Sequence, residues 1–227
     1  MPVTVDVVSD VVCPWCFIGK RHLEQALRLW RARHLGLRAE VRWYAFELNP
    51  GLPAGGVDRQ SYLAEKFGGA ARAREIYARV EAAGRRAGVP FDFAAMRVQP
   101  NTTDAHRLIV WAGTQGRQDA MVEALFRGFF LDRSDLTSGA VLAALAGEAG
   151  LDCAAAAAVL ASDAYRDDVR AQEAMARRMG VQGVPFFVFG RRLALSGAQP
   201  PEVILEAMEE VSAAQAAATV PSSGAPE

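Results

Sequence analysis

The chain has 227 residues, 51% of them hydrophobic and 22% charged, with a formal net charge of −1. That length can bury one sizeable core with room for a large insertion. Apolar content this high with charge near zero excludes a disordered chain and a nucleic-acid binder working through bulk charge.

The opening MPVTVDVVSD has neither the basic n-region nor the apolar h-region of a signal peptide, so a cytoplasmic location is expected. No apolar run reaches the ~18–20 residues of a membrane span. Residues 3–9 (VTVDVVS) are rich in β-branched side chains and predict a strand. After a break from Asp10, a helix is predicted from about Pro14 to His34. Its apolar stripe is Cys16, Gly19, Leu23, Leu27 and Trp30. Lys20, Arg21, Glu24, Arg28 and Arg31 fall on the other side. Residues 39–46 predict a second strand, apolar on both faces like a buried parallel strand.

A Gly/Pro loop follows Leu48, and the pattern from Arg59 to about Gly180 is almost wholly helical. The doubled apolar stripe from Met121 to Phe130 marks its centre. Gly150 reads as a helix stop, and Asp152 and Asp163 as N-caps. At Phe186 strands return, with Gly190–Arg191 as a hairpin signal. A last helix after Pro201 turns Ile204, Leu205, Met208 and Val211 inward. The resulting organisation is an α/β unit over 1–48, a helical insertion over 49–175, the rest of the α/β unit over 176–212, and a flexible tail over 213–227.

The three cysteines are too few for a disulfide scaffold. Two of them form Cys13-Pro14-Trp15-Cys16, directly after a strand and at a helix start. Free N–H groups and the macrodipole stabilise an anion there, so the first sulfur is expected to react as a thiolate. Pro14 suits the first helical turn. Cys16, one turn on, heads the buried stripe. That asymmetry suits exchange, in which Cys13 attacks and Cys16 resolves the mixed disulfide. Zinc would need a second ligand pair, and Cys153, His22, His34 and His106 supply none at close spacing. No metal and no diffusible cofactor are expected.

Strand, CPWC, helix, helical insertion and Gly183-Val184-Pro185 before a hairpin resemble the DsbA-like branch of the thioredoxin superfamily. More narrowly, SDVVCPWCFIGKRHLE, PNTTDAHRL, GVPFF and SGAQP resemble its FrnE-like subgroup. The resemblance implies a thioredoxin-like fold with an all-helical insertion and protein disulfide oxidoreductase or isomerase activity through Cys13 and Cys16. It implies thiol or disulfide substrates, protein or small, with glutathione as a conceivable co-substrate, and neither nucleic acid nor membrane as partner. The chain would act as a monomer or homodimer. It also implies a cis Val184–Pro185 bond facing the cysteines, where Val184 would dock substrate. Asn101, Thr102 and His106 become candidate substrate contacts on the same ground; read alone, Asn101 or Thr102 is a helix N-cap. Trp15 stands where DsbA carries a histidine, so that protein's strongly oxidising potential is not carried over.

The same scaffold serves glutathione-dependent kappa-class transferases and 2-hydroxychromene-2-carboxylate isomerases, which use a serine in place of the dithiol. A resolving Cys16 argues against that alternative. His22 and His34 read as packing or surface groups and Cys153 as a buried or spectator thiol. Arg72, Arg74, Arg85 and Arg86 read as a solvated face.

Overall fold

Val3–Ser9 forms β1, and a run of β-branched residues suits it to the middle of a sheet. It pairs in parallel with β2 (Ala39–Ala45), in register Val3 to Ala39, and on its other side antiparallel with β5 (Phe186–Phe189). The hairpin partner β6 (Leu193–Ser196) completes a four-stranded sheet of order β2-β1-β5-β6. Helix α1 (Pro14–Arg33) makes the crossover between the parallel strands, as parallel pairing requires. This computed structural model describes residues 2–219.

Between β2 and β5 lies the insertion. It holds α2 (Arg59–Phe67), α3 (Ala70–Arg86), α4 (Thr103–Thr114), α5 (Gln118–Phe130), α6 (Gly139–Glu148), α7 (Cys153–Leu160) and α8 (Arg166–Arg178). α9 (Pro201–Thr219) follows β6, and its Ile204, Leu205, Met208 and Val211 are buried as expected. The thioredoxin-like α/β fold with a helical insertion is thus present.

Several local expectations are corrected. The insertion is not all helical, because β3 (Val57–Asp58) and β4 (Val98–Gln99) pair as a short antiparallel ribbon. Two-residue strands leave no periodicity to read. α8 runs through residue 175, so no boundary falls there. Asp163 does not cap α8; Tyr165 holds that position and Asp163 pairs with Arg166. Asp152 does cap α7, accepting from the Ala155 amide at 2.7 Å. Phe189 pairs with Leu193, so the hairpin loop is the three residues 190–192. α9 continues to Thr219, past the expected start of the tail at 213; residues 220–227 of that expected tail lie outside the described residues.

β2 is an edge strand, half exposed, and not the buried strand its composition suggested. Its outer edge is closed by side chains. Gln118 accepts from the Trp43 amide at 2.9 Å and donates to the Trp43 carbonyl at 3.0 Å. Gln172 accepts from the Ala45 amide and Glu173 from that of Glu47. Edge groups left open would recruit another chain; here α5 and α8 use them to fasten the insertion to the sheet.

Phe17, next to Cys16, is fully buried and stacks on Phe126 of α5 at 5.0 Å between centroids. Phe130 and Phe91 close around it at 6.0 and 6.1 Å. Lys20 also points into this contact, 2% exposed, with Glu24 and Glu123 as ion-pair partners. It does not lie on the solvent face assigned to it from periodicity, because α5 covers that side. The helix that carries the cysteines is therefore fastened to the insertion through Phe17 and Lys20.

Candidate active site

Cys13 is the N-cap of α1, with extended backbone and no side-chain capping bond, and Pro14 opens the helix. The Cys16 amide donates to the Cys13 carbonyl at 3.0 Å, and the Cys13 amide to the Asp10 carbonyl at 3.0 Å. The two sulfurs thus sit one turn apart, both unbridged. Cys13 is 5% exposed and Cys16 1%, while Trp15 between them stands 42% exposed.

Val184–Pro185 is a cis peptide bond, and the Cys13 thiol donates to the Val184 carbonyl at 3.4 Å. Gly19 lets this segment come close: a Cβ there would stand 3.0 Å from Pro185 Cγ. The segment is tied onward, since the Gly197 amide donates to the Pro185 carbonyl at 2.8 Å. The Gln199 side chain, in the SGAQP motif, donates to the Ser196 carbonyl at 2.7 Å, and the Gln199 backbone carbonyl accepts from His22 Nδ1 at 2.9 Å. His22 is accounted for as packing.

Burial pushes the Cys16 thiol well above its ordinary range, and its hydrogen bond and charge interaction with Cys13 push the same way. The Ser9 hydroxyl and the Asp10 backbone amide bond to its sulfur and pull in the other direction. Cys16 is therefore a thiol that gives up its proton only when pressed.

Beneath the CPWC turn, His106 meets two buried carboxylates, Asp10 and Glu47, that the sequence did not reveal. Asp10 is fully buried; its Oδ2 accepts from the Leu48 amide at 2.8 Å. His106, 2% exposed, places Nε2 3.4 Å from Asp10 Oδ1, in charge-pair range without hydrogen-bond alignment. Glu47, 4% exposed, accepts from the Thr103 hydroxyl at 2.9 Å. Burial raises Glu47 above the usual carboxylate range; the Thr103 bond and His106 oppose this, and Glu173 and Asp10 add to it.

The PNTTDAHRL segment meets the site from below. Asn101, one residue before the cap position of α4, accepts from the Thr103 amide at 3.0 Å and donates to the Leu52 carbonyl at 3.0 Å. Thr102 is buried at the cap position without a capping bond. Of the three expected substrate contacts, His106 alone reaches the turn that carries the cysteines, through Asp10. Arg107 is fully buried and bonds Asp104 and the carbonyls of Val159, Ser162 and Ala164, which makes it a brace between helices. His34 pairs with Glu209 at 3.2 Å and packs on Trp30. Cys153 is exposed, which removes the buried alternative from its reading as a buried or spectator thiol. Among the described residues, no group of three or more His, Cys, Asp or Glu comes together as a metal site.

A family model for the DsbA-like thioredoxin domain matches residues 4–209. The chain belongs to the DsbA-like thioredoxin family. A probable DsbA oxidoreductase from Streptomyces coelicolor shares 33% identity with it at a TM-score of 0.85, covering 99% of this chain and 92% of the other. The protein YwbO of Bacillus subtilis is 26% identical over 92% of this chain and 98% of its own. The fold is also that of the cytosolic disulfide reductase DsbM from Pseudomonas aeruginosa, solved with GSH, at 19% identity and a TM-score of 0.60, covering 95% and 98% of the two chains. Among the described residues of this DsbA-like chain, no helix is long and apolar enough to cross a membrane.

Proposed function

We propose that the protein is a thiol–disulfide oxidoreductase of the FrnE-like kind, working through Cys13 and Cys16. The observation that carries this reading is the placement of Cys13: at the N-terminus of a 20-residue helix, one turn before a buried Cys16, with its sulfur 3.4 Å from the Val184 carbonyl. In the reductive direction the Cys13 thiolate attacks one sulfur of a substrate disulfide. A Cys13–substrate disulfide forms and the first substrate thiolate leaves. Cys16 then gives up its proton and attacks Cys13, releasing the second thiolate. The enzyme is oxidised by two electrons to the Cys13–Cys16 disulfide and the substrate is reduced by two; the oxidative direction reverses each step.

Val184 would hold the substrate backbone beside Cys13, and Trp15 offers it an exposed apolar surface. Asp10 and His106 support the turn from below, with Ser9 bridging toward Cys16. In a reducing cytoplasm the pair would rest as the dithiol and act as reductase or isomerase. Glutathione, present in the Pseudomonas reductase structure, would serve here as the thiol that regenerates the reduced pair.

Insulin reduction tests the reading. The wild-type protein should precipitate insulin chains in the presence of a thiol, and Cys13→Ser should fall to the uncatalysed rate. Cys16→Ser should accumulate a mixed disulfide at Cys13, visible by mass spectrometry. Full turnover by Cys13→Ser would remove Cys13 from the chemistry. Glutathione-dependent isomerisation of a chromene carboxylate, undiminished in Cys16→Ser, would favour the isomerase alternative instead.

A further inference from the structure

In the resolving step Cys16 must lose its proton to attack Cys13. It is 1% exposed, so that proton has to pass through protein. The Ser9 hydroxyl, at the end of β1, bonds the Cys16 sulfur and is itself buried. Ser9 has a second neighbour on its other side. Together with His106 it walls a small cavity of about 10 Å³, which has room for one water molecule. Tyr44 also lines this cavity, and Val11, Ile109 and Val122 are among its apolar walls.

His106 is a buried polar side chain left unanswered. It is 2% exposed, and neither ring nitrogen has a hydrogen-bond partner among the described residues. Buried polar groups are as a rule hydrogen-bonded, and a polar site with room answers them with water. Nε2 stands 3.4 Å from Asp10 Oδ1, so a proton arriving on the ring lies against a carboxylate. The Asp10 oxygens are held in place by the amides of Leu48 at 2.8 Å and Val12 at 3.5 Å. Glu47 acts on the same ring through its charge, with Glu173 of α8 behind it. The other charged groups nearby are taken up elsewhere. On α4, Asp104 and Arg107 pair with each other; on α5, Asp119 accepts from the Trp43 indole and Glu123 pairs with Lys20. An imidazole can accept a proton on one nitrogen while the other donates.

We propose that His106 is the proton acceptor of the resolving step, reached from Cys16 through the Ser9 hydroxyl and one water molecule held in the cavity between Ser9 and His106. The inference rests on the dithiol reading above and adds to it the fate of the Cys16 proton. The Cys16 sulfur forms its bond to Cys13, and the substrate thiolate leaves with the electron pair of the broken S–S bond. The Cys16 proton passes to Ser9, Ser9 gives its own to the water, and the water gives one to His106. The imidazolium so formed is paired with Asp10. In the oxidative direction the proton returns to Cys16 by the same path. His106 touches neither sulfur; it is a positioning residue that fixes where the proton goes.

Dithiobis(nitrobenzoate) separates the two steps, since Cys13 releases one equivalent of coloured thiolate on attack and Cys16 a second on resolution. Cys153 is exposed, so Cys153→Ala is the background for every measurement. The quantity to measure is the second-phase rate divided by the first-phase rate, so that altered access to Cys13 cancels. His106→Asn keeps a hydrogen-bonding side chain that cannot take up the proton. It should lower the ratio by about 100-fold at pH 7, the low end of what a positioned base contributes. The deficit should narrow as pH rises, because hydroxide then takes the proton. Ser9→Ala should lower the ratio as well, and the double variant should be no slower than the slower single one, because both substitutions break one path. An unchanged ratio in a folded His106→Asn, a deficit of equal size at pH 7 and pH 9, or additive losses overturns the proposal. Should His106→Asn fail to fold, Val122→Ile decides: it adds one methylene to the cavity wall and alters no polar group. Its ratio should fall several-fold with the same narrowing at high pH, and an unchanged ratio overturns the relay. If the background protein releases a single equivalent, the dithiol reading has failed and the relay falls with it. A second equivalent released at the same ratio in background and variants defeats the relay alone.

Discussion

The three cysteines differ by environment more than by chemistry. Cys16 is closed in by Ser9, Asp10 and Cys13, with 1% of its surface exposed, whereas Cys153 opens α7 at the surface. A thiol reacts with an alkylating agent only as an accessible thiolate. Iodoacetamide added to the native, reduced protein should therefore modify Cys153 and Cys13 and spare Cys16 until denaturant is added. Peptide mapping of the labelled sites checks this, and early modification of Cys16 would mean that the turn opens readily. The sequence made the Cys13–Cys16 pair legible, because a helix start after a strand is a local signal. It misplaced Cys153 because an alanine-rich helix has no polar face by which to tell inside from outside. Asp10 and Glu47 were missed for a related reason. A charged residue reads as surface until the chain brings a second element over it.

At the scale of elements, the position of the active-site helix depends on the aromatic cluster that receives Phe17. Phe91 meets Phe17 edge-on at 6.1 Å and Phe130 at 5.2 Å. Its seat is Gly84 in α3, where an added Cβ would fall on the Phe91 ring and 2.7 Å from the Val89 carbonyl oxygen. Overpacking of this kind costs about 1–3 kcal/mol, more than the roughly 1 kcal/mol that alanine gains over glycine in a helix. Gly84→Ala should therefore lower the urea midpoint, by an amount worth about 1 kcal/mol. Because the strain is passed through Phe91 to Phe17, insulin reduction should fall as well. A midpoint raised by the substitution would show that Phe91 repacks freely. Helix-forming periodicity announced α1 and α5 well before their contact was known. What it could not announce was Lys20, whose burial follows from α5 lying over that face, or the capping of β2 by Gln118 and Gln172, which is a long-range pairing with no local pattern.

For the molecule as a whole, the sheet and the insertion meet beneath the CPWC turn in a knot of ionisable groups. Glu47 leaves the end of β2 and accepts from Thr103 of α4; His106 of α4 approaches Asp10 at the end of β1; Glu173 of α8 bonds the Glu47 amide. Fold class was legible, since strand and helix periods change abruptly after Leu48. This junction was not, because its members are spread from residue 10 to residue 173. Its energetics have a definite sign. Burial raises Glu47, so the folded state holds that proton more firmly than the unfolded chain does. Such a group favours folding below its unfolded pKa, and the contribution is lost as pH rises through the folded value. At neutral pH the burial of Glu47 beside Asp10 and Glu173 therefore opposes folding, with His106 and Thr103 as partial relief. Glu47→Gln keeps the oxygen that accepts from Thr103 and removes the charge. It should raise Tm at pH 7, and the gain should shrink toward zero as pH falls below about 4, where carboxylates of ordinary pKa are protonated in both states. Calorimetric scans of both proteins across that range check the sign. A gain that persists undiminished in acid would mean that packing, and not the charge of Glu47, sets the strain at this junction.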